Sequence, residues 1–121
     1  MSCVMGAYKN DLARMPSGQL LERRRAAAGR LAAAAEHVLA GSLAEQSRRC
    51  GRAGCRCADG EPHGPYAYFT PRPGGRGRAR YVPAALEDAV RRCLRSGAEA
   101  EEALAEISAI NAELLARREL E

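Results

Sequence analysis

Between Cys50 and His63 the chain reads CGRAGCRCADGEPH, three cysteines and a histidine within fourteen residues at the spacing C-x4-C-x-C-x5-H. Thiolate sulfur and imidazole nitrogen are the donors that close a tetrahedral shell around zinc at about 2.0 to 2.3 Å. Cys50, Cys55, Cys57 and His63 are therefore the predicted ligands of a structural zinc ion. Gly51, Gly54, Gly60 and Gly64 fall between and just beyond them. Drawing four side chains onto one ion in so short a stretch calls for backbone with positive φ, which glycine adopts without steric cost. The paired CxxC knuckles of a stronger zinc signature are missing, so free thiols and a redox or disulfide role stay open as other uses of these cysteines. In the zinc reading, a shell of three cysteines and one histidine is closed, whereas a catalytic zinc keeps a position for water with a base nearby. Glu61 reads as a solvated loop carboxylate, and no Ser-His-Asp order, phosphate-cradling glycine loop or paired-carboxylate motif appears elsewhere. The expectation is a protein that is not an enzyme, with no small-molecule substrate.

The elements that must position this loop follow from the flanking sequence. Residues 1–16 lack clean periodicity, end in Pro16 and read as a flexible leader, with Cys3 an ordinary free thiol. Residues 17–40 read as a helical arm, with Ser17 as its N-cap, Leu20, Leu21, Leu31, Val38 and Leu39 near one face, and Gly41 as a left-handed C-cap. Residues 41–83 form the Cys/His β module. Ser42 to Arg49 suits a strand into the cysteine loop, or an extension of the helix. The run Tyr66-Ala67-Tyr68-Phe69-Thr70 is rich in strand formers. Pro71, Pro73, Gly74, Gly75 and Gly77 then make a turn into a returning strand, Arg78 to Val82. Alternation puts Tyr66, Tyr68 and Thr70 on one face and Ala67 and Phe69 on the other.

Residues 84–121 read as a C-terminal helix after Pro83, pausing at Ser96-Gly97 and reaching about Arg118. Its apolar repeat has coiled-coil character: Val90, Leu104, Ile107, Asn111 and Leu114 fall on a heptad seam that could join two copies. Asn111 at such a position would fix register or partner number, or else it faces water near the helix end. The predicted fold is α+β: an N-terminal helix, a small zinc-stapled β-hairpin or three-stranded meander, and a long C-terminal helix.

Composition bounds the rest. With 121 residues, no Trp, one Phe and four Tyr, and much of its 46% hydrophobic content being alanine, the chain favours helix over a thick core. A β module this lean in large side chains needs a staple, which is the second argument for the ion. The net charge of +4 is uneven. Residues 41–82 carry eight basic and three acidic side chains, against five and nine in residues 83–121. Such a middle suits a polyanion, DNA or other nucleic acid, with Arg48, Arg49, Arg52 and Arg56 around the ligands and Arg72, Arg76, Arg78 and Arg80 along the hairpin as contacts. Lys9 is the only lysine against eighteen arginines, a bias that a GC-rich genome gives any protein, so ordinary solubility accounts for the charge as well. The aromatics Tyr66, Tyr68, Phe69 and Tyr81 either form what core the module has or stack unpaired bases. No stretch approaches the ~20 apolar residues of a membrane span, and residues 1–16 lack the apolar run of a signal peptide; a cytoplasmic protein without membrane contact is expected.

These residues resemble a bacterial and archaeal family of unknown function. The corresponding pieces are Gly41-Ser42-Leu43, CGRAGCRC at 50–57, HGPY at 63–66, RYVP at 80–83 and EISAIN at 106–111. The resemblance implies that Cys50, Cys55, Cys57 and His63 belong to one signature, and it suggests an association with mobile elements. It carries no established activity. The leading expectation is a small zinc-binding nucleic-acid-binding or accessory protein; the alternative is a protein-interaction adaptor working through its C-terminal helix, its zinc loop purely structural.

Overall fold

The computed structural model describes residues 11–72 and 79–121. Arg76 and Arg78, the predicted turn at Pro73, Gly74, Gly75 and Gly77, and Cys3 lie outside the described residues. The architecture is α+β: helix α1 (Ser17–Ala35), strand β1 (Gly41–Arg48), a 3-10 turn at Arg56–Ala58, strands β2 (His63–Pro71) and β3 (Arg80–Val82), a 3-10 turn at Ala84–Leu86, and helix α2 (Glu87–Ala116). The chain divides into two compact units, His37–Ser96 and a second formed by Met1–Glu36 with Gly97–Glu121.

In the sheet unit the three strands form an antiparallel meander in the order β1-β2-β3. β1 pairs with β2 from Gly41↔Pro71 to Gln46↔Tyr66, then shifts register before Arg48↔His63. β2 pairs with β3 through Ala67↔Val82, Tyr68↔Tyr81 and Phe69↔Arg80. The predicted alternation holds: Ala67, Phe69 and Val82 are buried together, with Leu39, Leu43, Val90 and Leu94 packed against them. Gly41 does not cap a helix. It opens β1, where an added Cβ would run into the Phe69 ring and the Thr70 carbonyl. The helical arm accordingly ends five residues earlier than its alanine content predicts. Burying Leu39 on the sheet cluster, with its N–H donating to the Cys93 carbonyl at 3.1 Å, overrides local helix propensity. Cys93 is half-buried on α2, apart from the other cysteines.

In the helical unit α1 and the C-terminal part of α2 run antiparallel, as their bonds show. Ser17 Oγ donates to Glu119 at 2.9 Å, Arg24 Nη1 donates to Asn111 Oδ1 at 2.9 Å, and Arg30 reaches Glu106. Leu12, Leu20, Ile110 and Leu114 are buried in one cluster, each contributing about 1.5–3 kcal/mol by leaving water. Leu12 belongs to the stretch read as a leader. Residues 11–14 are helical, and Arg117 Nη2 donates to the Leu12 carbonyl at 3.0 Å, the favourable site for a cation at a helix C-terminus. Ser17 is not the N-cap of α1; Pro16 holds that place, and no side-chain cap bond forms.

Helix α2 does not pause at Ser96-Gly97; Gly97 is a buried position within it. Its buried residues are Gly97, Ala100, Ala103, Ile110 and Leu114. The strict heptad placed Leu104 on this stripe, yet Leu104 is 54% exposed. A straight helix of 3.6 residues per turn drifts from a 3.5-residue repeat, which moves the stripe onto Ala103 and Ile110. Among the other residues read as a seam, Val90 packs on the sheet, Ile107 is half-buried, Asn111 is bonded to Arg24, and Leu114 is buried beside Leu12 and Leu20. The helix ends in a Schellman motif, with Arg118 N–H bonded to the Leu115 carbonyl at 2.9 Å and Glu119 N–H to the Leu114 carbonyl at 2.8 Å. Arg118 occupies the left-handed position at φ 59°.

Candidate metal centre

The loop between β1 and β2 runs from residue 49 to residue 62, and the two strands deliver its ends side by side, because Arg48 pairs with His63. Cys50 thus leaves β1 beside the start of β2, where His63 stands. Between them the backbone doubles back at Gly51, φ 76°, and Gly54, φ 80°, values that a side chain would strain. The Cys55 N–H closes that turn on the Arg52 carbonyl at 3.2 Å. The 3-10 turn then carries Cys57 inward, to 2% exposure. Arg49 spans the loop, its Nη1 donating to the Gly60 carbonyl at 2.9 Å.

The four predicted ligands converge. Cys50 Sγ lies 3.5 Å from Cys57 Sγ, Cys57 Sγ lies 3.5 Å from Cys55 Sγ, and Cys55 Sγ lies 3.3 Å from His63 Nε2. All four donor atoms fall within 4.8 Å of one another. A tetrahedron with donor bonds of about 2.0 to 2.3 Å has edges of about 3.3 to 3.8 Å, so these side chains are spaced to hold a metal ion.

The thiols differ in their ionisation. Cys55 is pulled down to about 6 from the ordinary 9.0, first by a hydrogen bond from the Cys57 backbone N–H and then by the side chains of Cys50, Cys57 and His63. Around Cys50 the largest single effect is a hydrogen bond from the Arg52 backbone N–H, which lowers its pKa. Proton sharing with Cys55 and Cys57, burial and the Cys55 charge together outweigh it, and the net shift is upward. A thiolate is thus in place at neutral pH, the state in which sulfur ligates metal.

The predicted arginines fall around this centre unequally. Arg48, Arg49, Arg52, Arg56, Arg72 and Arg80 are all exposed. Arg48 lies over the Tyr68 ring, 5.6 Å from its centroid, and donates to the Tyr68 hydroxyl; Arg49 is held by Gly60. Neither contact is readable from spacing along the chain. The four aromatics taken together as core or platform are divided by the sheet. Phe69 is buried, Tyr66 and Tyr68 are half-buried, and Tyr81 is 55% exposed.

A family model described as a domain of unknown function (DUF6788) matches residues 18–92. The chain belongs to that family. The part matched in this DUF6788 protein takes in α1, the whole metal loop and the sheet, and stops before the EISAIN segment at 106–111. Comparisons with curated proteins and with solved structures give no match. No helix among the described residues is long and apolar enough to cross a membrane.

Proposed function

We propose that the sheet unit is a zinc-stapled module that binds nucleic acid through arginines around the metal loop. Three sulfurs and one imidazole nitrogen at tetrahedral spacing suit zinc, a borderline-soft ion with no redox chemistry of its own. The role is structural and not catalytic, because four protein donors leave no coordination position for water. The observation that carries the nucleic-acid reading is how the arginines are used. In the helical unit Arg23, Arg24, Arg30 and Arg117 each reach a glutamate carboxylate, while Arg14, Arg25 and Arg118 make no ion pair among the described residues and lie scattered. On the metal loop Arg52 and Arg56, and on β3 Arg80, are exposed and make no ion pair among the described residues. Guanidinium groups left without carboxylates are available to phosphate oxygens.

Metal analysis of protein purified under reducing conditions should give one zinc per chain, and a labelled oligonucleotide should bind with an affinity that falls steeply as salt rises. Each phosphate contact adds about 0.7 to 0.9 to the slope of log affinity against log salt. Replacing Arg52, Arg56 and Arg80 together should reduce that slope by about two to three. Absence of salt-sensitive binding at low ionic strength would end this reading.

A second reading has its own observation. Leu104 and Leu115 are 54% and 62% exposed, and eleven residues is close to three helical turns, so they share one outer stripe of α2. An adaptor would use that stripe to pair with a second copy or a partner helix. Sedimentation of the wild type against Leu104→Ser/Leu115→Ser decides it: a dimer that becomes a monomer supports the adaptor.

A further inference from the structure

We infer that the outer face of the sheet is a stacking platform for unpaired bases, so that the nucleic acid recognised is single-stranded. This inference rests on the nucleic-acid reading above and narrows it. Register puts Tyr66 and Tyr68 of the central strand on one face with Tyr81 of the edge strand, since Tyr81 pairs directly with Tyr68. The opposite face is the one that buries Ala67, Phe69 and Val82, so these tyrosines do not supply the core. Their rings meet at steep angles: Tyr66 to Tyr81 at 6.2 Å between centroids and 74°, Tyr68 to Tyr81 at 5.9 Å and 64°. No ring of the three lies flat on another, and Tyr81 remains 55% exposed. Tyr81 is thus the ring of this group most open to solvent.

The electrostatics of the same face favour an anion. Its β1 positions, opposite Thr70, Tyr68 and Tyr66, are Ser42, Ala44 and Gln46, while Glu45 lies opposite the buried Ala67 and belongs to the other face. The described strand residues on the tyrosine face thus include no carboxylate. Arg48 rests over Tyr68 at one edge. The metal loop continues directly from this end of the sheet, with Cys50 two residues beyond Arg48 and Tyr66 three beyond His63, so the exposed Arg49, Arg52 and Arg56 belong to the segment that adjoins the tyrosine-bearing strands. Aromatic rings flanked by guanidinium groups are what an unpaired strand needs: a π-face for each base and positive charge for the backbone. A duplex keeps its bases stacked on one another and gains nothing from the rings.

The test uses full-length zinc-loaded protein, labelled oligothymidine and oligouridine of about a dozen nucleotides, and a duplex of the same length. The single strands should bind at least tenfold more tightly than the duplex. The chain has no Trp, so tyrosine emission should be quenched on binding. Tyr81→Ala, at the most exposed ring, should weaken single-strand binding roughly tenfold while leaving the salt slope unchanged, and Tyr81→Phe should bind like wild type. Circular dichroism and zinc content confirm that each variant is folded. If folded Tyr81→Ala binds single strands as wild type does, or the duplex binds as tightly, the platform is wrong and the nucleic-acid reading survives. If neither form of nucleic acid binds, both fall.

Discussion

The two units of this chain use the same residue types to different ends. In the helical unit four large aliphatic side chains, Leu12, Leu20, Ile110 and Leu114, are fully buried, and Arg23, Arg24, Arg30 and Arg117 are tied to Glu106, Glu113 and Glu121. In the sheet unit the buried apolar cluster is Ala67, Phe69 and Val82, each 6 to 8% exposed, and four metal donors stand at the end of its two longest strands. One unit is held by packing and internal ion pairs. The other has four donors that could hold an ion, with Arg48, Arg49, Arg52 and Arg56 exposed beside them and Tyr81 open to solvent. The contrast teaches that the unit with the thinner core is the one with surface chemistry to offer.

The sharpest way to break this comparison is to remove the metal. Structural zinc contributes on the order of 10 kcal/mol of apparent folding free energy, more than the net stability of a typical small domain. Chelation, or Cys57→Ser, should therefore abolish amide protection in β1, β2 and β3 while α1 and residues 97–116 keep theirs. Hydrogen exchange reads both at once; a sheet that stays protected would refute the staple. Acid should act in the same direction. In the metal-free fold the Cys55 pKa, about 6, lies below the ordinary 9.0, so its thiolate stabilises that fold fully above about pH 9 and ceases to do so as pH falls through about 6; with the ion bound, protons must also displace the metal from its thiolates. Loss of the sheet signal on titration toward about pH 5, with the helical signal unchanged, is the expected result.

A smaller effect probes the other side. Ile110→Ala removes a fully buried side chain from the helical cluster and should cost about 2 to 5 kcal/mol, read by urea denaturation as reduced helix stability with zinc content unaltered. Loss of bound zinc in that variant would show that the two units do not stand apart. The smallest expected change is a gain. Arg118 holds a left-handed backbone conformation at the end of α2, which costs a residue with a Cβ about 1 kcal/mol more than glycine. Arg118→Gly should raise the stability of the helical unit by about 0.5 to 1 kcal/mol, and a loss of stability would mean that the side chain does more than the backbone suggests.

The metal loop was the most legible part of the sequence because its information is local: ligand types, their spacing and the intervening glycines lie within fourteen residues. The strand alternation of residues 66–70 was legible for the same reason. What could not be read depends on partners far along the chain. Leu39 ends α1 early because it is needed on the sheet, and Asn111, which suited either a register position or a water-facing one, is met by Arg24, 87 positions away. The end of α2, expected near Arg118, lies within two residues of that place, but that Arg118 itself takes the left-handed position, where glycine or asparagine is usual, left no sign in the composition.

Cys57 is the only one of the four donors that is buried; Cys50 and His63 are exposed and Cys55 is half-buried. An ion seated there is reached from outside, through the side formed by Cys50 and His63. Its arrival and departure are thus matters of ligand exchange with whatever competes for zinc in the surroundings. If the module is stapled as proposed, that competition would set the rate at which it empties, and collapse of the sheet would follow loss of the ion.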